Sequence, residues 1–441
     1  MTDHTISHNI KQDKIKTEDT LLFEDLEPSL SNTKTIAVIG AGITGITAAY
    51  SLAKRGYAVE VIDQEPYAAM RTSYANGGQF SVSNADTWCT WSNVGKGLKW
   101  MLSKDAPLLV RPTPSMSKLW WLAQFLYNTA NGTQQSNTKH TIQMALYARQ
   151  LYEDIADREG IEFDHKRNGI LHFYKDAHSL EAAKRMCDFY QSQGVDRYPV
   201  SAEHVKLIEP ALGAAPGIIG GTFTPDDGMG DIHAFCANLA NVLRDKYSVT
   251  FRYDTRVVDL YNIEENVILE MQHGQRTIAS SYAQVVISAG ADSSAFGHML
   301  GDPVSVYPVK GYSITVPLDG PLTAPITSLL DDDAKIVTST LGDRLRVAGT
   351  AELDGWNRDI RMDRIEPLLR WVRTNMPQIK TEHAVPWAGL RPMTPNMMPI
   401  VQRCGSNDRV WWNTGHGHLG WTLAPATADI IADLIGSEQT P

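Results

Sequence analysis

The sequence predicts an α/β fold built around a parallel-sheet unit whose parts lie far apart along the chain. Three observations point to it. The stretch TIAVIGAGITGITAAYSLAKRGYAVEVID, residues 35–63, reads as strand, glycine turn, helix and strand. Two much later stretches, AQVVISAGADSS and VWWNTGHGHLGWTLAPATADIIADLI, each read as a strand running into glycines, the second continuing as a helix. At 441 residues, with 43% hydrophobic and 20% charged residues, the chain is long enough for a large core and two domains.

The first 33 residues are polar and acid-leaning, with neither an apolar signal core nor a small-residue cleavage site, which predicts a flexible extension on an unsecreted, cytoplasmic chain. In the next stretch a β-branched run (Ile36, Val38, Ile39) stops at glycines, helical spacing follows (Ile43, Ile46, Tyr50, Ala53), Gly56 ends it, and Val59 and Val61 lead to Asp63. That order excludes a membrane-spanning helix. A net charge of −10 disfavours nucleic acid, and four scattered cysteines lack the spacing of zinc, iron–sulfur or c-type haem sites, so no metal is expected.

Gly40 permits the tight turn, Gly42 lets a pyrophosphate approach the backbone, and Gly45 lets helix and strand pack closely. The amides and positive helix end at Ala41, Ile43 and Thr44 then face phosphates. Asp63, eighteen residues after Gly45, is placed to accept from an adenosine ribose, which favours NAD or FAD over NADP. Small, hydroxyl and amide residues follow, with Gln64, Thr72, Ser73, Asn76 and Gln79 around the consecutive glycines Gly77 and Gly78, as suits a chain passing a flat cofactor. Ala289 and Gly290 end one later strand. Gly415, His416, Gly417, His418, Leu419 and Gly420 form the other turn, before Trp421 and Thr422 open a helix. A nucleotide unit completed by such late segments is discontinuous.

The stretches VIGAGITGITAAYSLAKRGYAVEVIDQEP, TSYANGGQFS, YPVKGYSITVPL, WAGLRPMTPNMMPIV and NTGHGHLGWTLA together resemble the FAD-dependent D-amino-acid oxidase superfamily, and most closely its bacterial D-amino-acid dehydrogenases. The resemblance runs from about residue 34 to the C-terminus. It implies a Rossmann-like FAD-binding domain over 34–95, 231–296 and 386–437, interleaved with an α+β substrate domain over 96–230 and 297–385 built on a mainly antiparallel sheet. VYPVKGYSITVPL and RLRVAGTAEL read as strands of that sheet, and TIQMALYARQLYEDIADREG as a helix with an apolar face through Ile142, Ala145, Leu146, Ala148 and Leu151. It implies non-covalent FAD, with Val257 and Gly389 added to its contacts, and oxidation of a D-amino acid by hydride transfer to flavin N5, giving a 2-oxo acid and ammonia. The stretches SNADTWCTWSN and FTPDDGMGDIHAF depart from the family's usual wording and leave the exact substrate open.

Arg391 is a forked, permanently charged donor in an apolar stretch, suited to a carboxylate; an internal ion pair is the alternative, and the family's carboxylate-binding arginine favours substrate. Tyr307 and Tyr312 are candidates for closing the pocket over the substrate, or are core tyrosines. His416 and His418 either contact flavin or are structural. Between residues 96 and 121, Lys96, Lys99, Lys104, Arg111 and Lys118 stand against Asp105 and among Trp100, Trp120 and Trp121. This is either a basic aromatic surface that meets an anionic membrane and a quinone on the inner face of the cytoplasmic membrane, or an ordinary packed helix pair. The function expected is D-amino-acid dehydrogenation with a quinone or other organic acceptor. An oxygen-using oxidase of D-proline-like or N-alkyl amino acids, and a flavoprotein subunit active only within a complex, are the alternatives; the oligomeric state is left open.

Overall fold

The computed structural model describes residues 35–100, 107–111, 115–319 and 324–437, the side chains of 98–100 aside. The N-terminal extension, Lys104, Asp105 and the Lys99 and Trp100 side chains therefore lie outside what is described.

Thr35–Ile39 is apolar and β-branched on both faces, as a fully covered strand must be, and it pairs in parallel with Ala58–Ile62 on one side and Gln284–Ile287 on the other. The complete sheet runs, in spatial order, Ile400–Arg403, Val410–Thr414, Gln284–Ile287, Thr35–Ile39, Ala58–Ile62 and Thr250–Arg252. Only its Ile400–Arg403 edge is antiparallel. One face is covered by helices Ile43–Lys54, Ile232–Tyr247 and Gly420–Ser437, which bury Ile46, Tyr50, Phe235, Leu239, Ala428 and Ile431 together. The other is covered by the meander Thr255–Ile263, Asn266–His273, Arg276–Tyr282, through Val257, Leu269 and Met271 against Ala37, Ile39, Ile287 and Trp412.

The large sheet runs Val385–Met393, Tyr307–Pro317, Arg344–Leu353, Ile336–Leu341, Ser328–Asp331, Ile170–Tyr174, Gly220–Thr224 and Tyr198–Ser201, with Leu108–Val110 added beside Arg344–Leu353. Its pairings are antiparallel except Ser328–Asp331 with Ile170–Tyr174 and Leu108–Val110 with Arg344–Leu353. Val385–Met393, grouped above with the nucleotide segments, is thus an edge strand of this sheet, in register Arg391 with Val309 and Gly389 with Gly311.

Alternation along Tyr307–Pro317 separates the sheet's faces. Tyr312, Ile314 and Val316 pack with Leu345 and Val347 against Ile365, Leu368 and Val372 of helix Met362–Asn375. The opposite face meets the nucleotide unit: Ser313 donates to the Ala75 carbonyl (2.7 Å), and Arg346 to that of Asn76 (3.0 Å). Helix Gln134–Glu159 turns Ile142, Ala145 and Ala148 inward as its spacing predicts, and Tyr152 donates to the Trp421 carbonyl at 2.6 Å. Among the described residues no helix is long and apolar enough to cross a membrane.

Candidate active site

A cavity of about 1210 Å³ lies between the two sheets, walled by both. Every cofactor candidate named from the sequence lines it except Ala41 and Gly45. Those two shape the turn behind it. A Cβ at Gly45 would fall 1.7 Å from the Gly40 carbonyl oxygen, so only glycine lets the helix sit this close to the strand. Gly40 has φ +107° and no room for a Cβ against the Ser288 carbonyl. The Ala41 amide donates to Asp63 Oδ2 at 2.5 Å and the Glu65 amide to Oδ1 at 2.8 Å. The Asp63 carboxyl is raised by burial against these bonds, and it keeps lone pairs toward the cavity beside Gln64. Helix Ile43–Lys54 begins at Gly42 with no side-chain cap, although Ser73 Oγ accepts from the Ile43 amide at 3.1 Å. The turn is shaped for a pyrophosphate.

At the far end the first turn of helix Gly420–Ser437 also points into the cavity, through Gly420, Trp421 and Thr422. Around it stand buried polar atoms without protein partners among the described residues: Gln79 Oε1, His418 Nε2 and Trp421 Nε1. Orphans of this kind along a cavity wall await a ligand. An elongated dinucleotide with phosphates at Gly42 and a polar ring system at Gly420 fits this donor set. His416 hydrogen-bonds Thr427 at 2.8 Å, and burial lowers its pKa to about 3. His418 stacks on Trp88 at 4.6 Å; burial and the Arg391 charge lower it to about 3. Both imidazoles are neutral near neutral pH.

Arg391 reaches from its edge strand across Gly311, where a Cβ would fall 2.1 Å from Nη1 and 2.2 Å from Cζ. The guanidinium lines the cavity, and among the described residues it has no hydrogen-bond or ion-pair partner. Burial alone lowers its pKa, to about 10, so the group is cationic. The internal ion pair considered as its alternative is absent among the described residues.

The tyrosines are placed differently. Tyr307 does not line the cavity: it packs on Trp121, and its hydroxyl accepts from the Gly355 amide at 3.1 Å, as a core tyrosine. Tyr312 lies on the cavity wall, but its ring is in the core on the sheet's other face and its hydroxyl donates to Glu352 at 2.6 Å. Neither hydroxyl is free to close over a substrate, and this corrects the role expected of them. Glu352 is fully buried and also accepts from Arg111 (2.8 Å), Arg361 (2.9 Å) and Lys310 (3.3 Å). Burial alone would raise its carboxyl, but these bonds hold it below the usual range.

The stretch SNADTWCTWSN contributes Asn84, Asp86, Trp88, Thr90 and Asn93 to the wall. FTPDDGMGDIHAF holds it there, because Asp227 accepts from the Val82 amide at 3.0 Å and the Ser83 amide at 2.9 Å. Sequence reasoning did not name Gly311, Asp86, His172 or Arg197; for Asp86 the unusual wording was the available signal.

The family profile of FAD dependent oxidoreductases, DAO, matches residues 35–434. D-amino acid dehydrogenase 3 of Mesorhizobium japonicum is 48% identical over 408 residues, covering 91% of this chain and 97% of that one. D-amino acid dehydrogenase of Paramagnetospirillum magneticum is 40% identical, covering 92% and 96%. Glycine oxidase from Geobacillus kaustophilus superposes with a TM-score of 0.72 at 20% identity, covering 92% and 96%, and L-proline dehydrogenase from P. horikoshii with 0.71 at 17%, covering 93% and 95%. The glycine turn, the two-sheet cavity and this likeness over nine-tenths of the chain lead to one conclusion: the protein is an enzyme of the DAO family of FAD-dependent oxidoreductases.

Proposed function

We propose that the protein oxidises D-amino acids to 2-oxo acids and ammonia and passes the electrons to a quinone or another organic acceptor. The observation that carries the reading is the Arg391 guanidinium on the cavity wall, unpaired among the described residues and a ready bidentate partner for an amino-acid carboxylate. Bound FAD supplies the acceptor for the substrate's α-hydrogen and its two electrons. Arg391, seated on Gly311, fixes the carboxylate and with it the direction of the α-carbon. The amide end of helix Gly420–Ser437 stabilises negative charge where it develops. Trp88, Val94, Leu108, Leu122 and Phe125 on the wall help exclude water from the cavity. His418, held neutral, adds no competing cation beside Arg391.

Non-covalent FAD is supported by the cysteines, all buried and none on the cavity wall. Peripheral membrane contact on the cytoplasmic face draws support from aromatic exposure more than from charge. Trp91, Met116, Trp120 and Tyr127 are 62%, 81%, 66% and 70% exposed, and Lys96 is exposed. Lys118, by contrast, is buried with Nζ on the Arg111 carbonyl (2.7 Å), and Arg111 pairs with Glu352, so two of the expected surface charges are spent internally.

The test is anaerobic bleaching of the purified chain's flavin absorbance by matched D- and L-amino acids, followed by reoxidation with a quinone analogue or oxygen. Bleaching by D-isomers with quinone reoxidation is expected. Bleaching by N-alkyl substrates with peroxide release would replace the reading by an oxidase, and no bleaching by any amino acid would replace it by a subunit that needs partners.

A further inference from the structure

Asp86, His172, Arg197, Asp332 and Lys335 also line the cavity, and their charges are unequally spent. Arg197 is buried and engaged through all three of its nitrogens: Nε and Nη2 donate to Thr222 Oγ1 (3.2 and 3.1 Å), Nη1 to the Ser83 carbonyl (3.0 Å), and Nη2 lies 3.4 Å from His172 Nδ1. Asp332 is engaged as well, by Tyr174 (2.7 Å), Lys335 (2.5 Å) and His172 (3.4 Å). Asp86 is the exception. It lines the cavity, and its buried Oδ1 has no hydrogen-bond partner among the described residues; the Tyr190 hydroxyl stands beside the carboxyl group. A carboxylate has room for about four donors, so one phenol leaves it mostly unsatisfied. Arg197 supplies the neighbouring positive charge without spending a donor on Asp86.

Among the described residues, one cavity thus holds a guanidinium with no acceptor and a carboxylate with an unpartnered oxygen. Burial raises the Asp86 carboxyl and the nearby Arg197 charge opposes that rise, while burial alone acts on Arg391. We infer that Asp86 forms a side-chain subsite for a cation, so that basic D-amino acids, carrying an ammonium or guanidinium at the distal end, bridge Arg391 and Asp86. The inference rests on the proposed oxidation of D-amino acids. An unsatisfied buried acceptor discriminates strongly, because a substrate lacking the donor leaves it unpaired. Binding of every substrate's α-ammonium by Asp86 is a different arrangement and gives a different result below.

The experiment compares kcat/KM for flavin reduction by D-lysine with that by D-norleucine, a neutral near-isostere, in the full-length holoenzyme, with FAD content measured for each variant. The wild type is expected to favour D-lysine, Asp86→Asn to lower the D-lysine to D-norleucine ratio about tenfold or more, and Asp86→Glu, which keeps the charge, to retain most of it. A wild type that reduces with D-norleucine but shows no preference for D-lysine would overturn the subsite and leave the proposed function standing. So would an Asp86→Asn protein in which both substrates fall equally, since that is the α-ammonium arrangement. If no D-amino acid reduces the wild-type flavin, the proposed function falls, and the subsite with it.

Discussion

Replacing Gly311 by alanine tests the seat of Arg391 with little else disturbed. Gly311 lies outside the positive-φ residues, on a strand whose pairing with Arg344–Leu353 shifts register just after it, so its own backbone accepts alanine without strain. The added Cβ would stand 2.1 Å from Nη1, 2.2 Å from Cζ and 2.4 Å from Nη2 of Arg391. Ordinary contact needs about 3.5 Å, so the guanidinium must move by more than about 1 Å. A shift of that size, without loss of charge, breaks the bidentate geometry; losing one charge-assisted bond costs about 1.5–3 kcal/mol, or about ten- to a hundredfold in kcat/KM. The assay is the anaerobic rate of flavin bleaching by a D-amino acid, with its uncharged amide as control and flavin content checked by absorbance. Because both changes act on one carboxylate contact, the Gly311→Ala and Arg391→Lys effects should be strongly non-additive. Wild-type bleaching kinetics in Gly311→Ala, or fully additive losses, would refute the assignment.

Arg391→Lys keeps a positive charge but loses the fork, and kcat/KM for D-amino acids should fall about ten- to a hundredfold with flavin content unchanged; loss of flavin or folding instead would assign Arg391 a structural role. Precipitation with acid should release the flavin into the supernatant, and flavin retained in the pellet would show a covalent link. For His416, whose folded pKa of about 3 lies below its unfolded value of about 6.5, the unfolded chain binds the extra proton between those values, so its contribution to stability is complete above about pH 6.5 and falls on acidification. The loss is about 2 kcal/mol at pH 5; denaturant titrations of His416→Gln should show a pH dependence weaker by about one proton between pH 4 and 6, and an unchanged slope would contradict the burial argument. Binding to anionic vesicles should depend more on Trp91 and Trp120 than on Lys96: alanine at both tryptophans should abolish co-sedimentation, and binding that survives it, or is missing at low salt in the wild type, would remove the membrane reading.

The glycine turn was legible because close backbone packing leaves few residue choices, and glycines at 40, 42 and 45 between two periodic runs state that constraint locally. Arg391 was legible because a lone cation in an apolar stretch must answer to something. The tyrosines misled. Tyr307 and Tyr312 are five residues apart, and an odd spacing in a strand sends side chains to opposite faces, so they cannot serve one pocket together. Tyr312's true partner was invisible, since Glu352 gathers Arg111, Lys310, Tyr312 and Arg361 from several separate segments, and such a cluster exists only once the sheet has formed. Gly311 was hidden for the same reason: its lack of a side chain matters only because Arg391 lies across it.

The central strand Thr35–Ile39 has Gln284–Ile287 as its neighbour on one side, and roughly 250 residues separate the two. At a synthesis rate of roughly 5–20 residues per second, the first-made strand waits about 12–50 s with an apolar edge open. The turn at Gly415–Gly420 that completes the flavin end emerges later still. Chain elongation therefore orders the maturation of the enzyme: a nascent chain halted before residue 284 keeps an open sheet edge prone to aggregation and has not yet made the segments that close its cofactor cavity. Flavin supply can act only on chains that are nearly finished, so the holoenzyme's yield in the cell is set late, by competition between cofactor capture and clearance of the completed apoprotein.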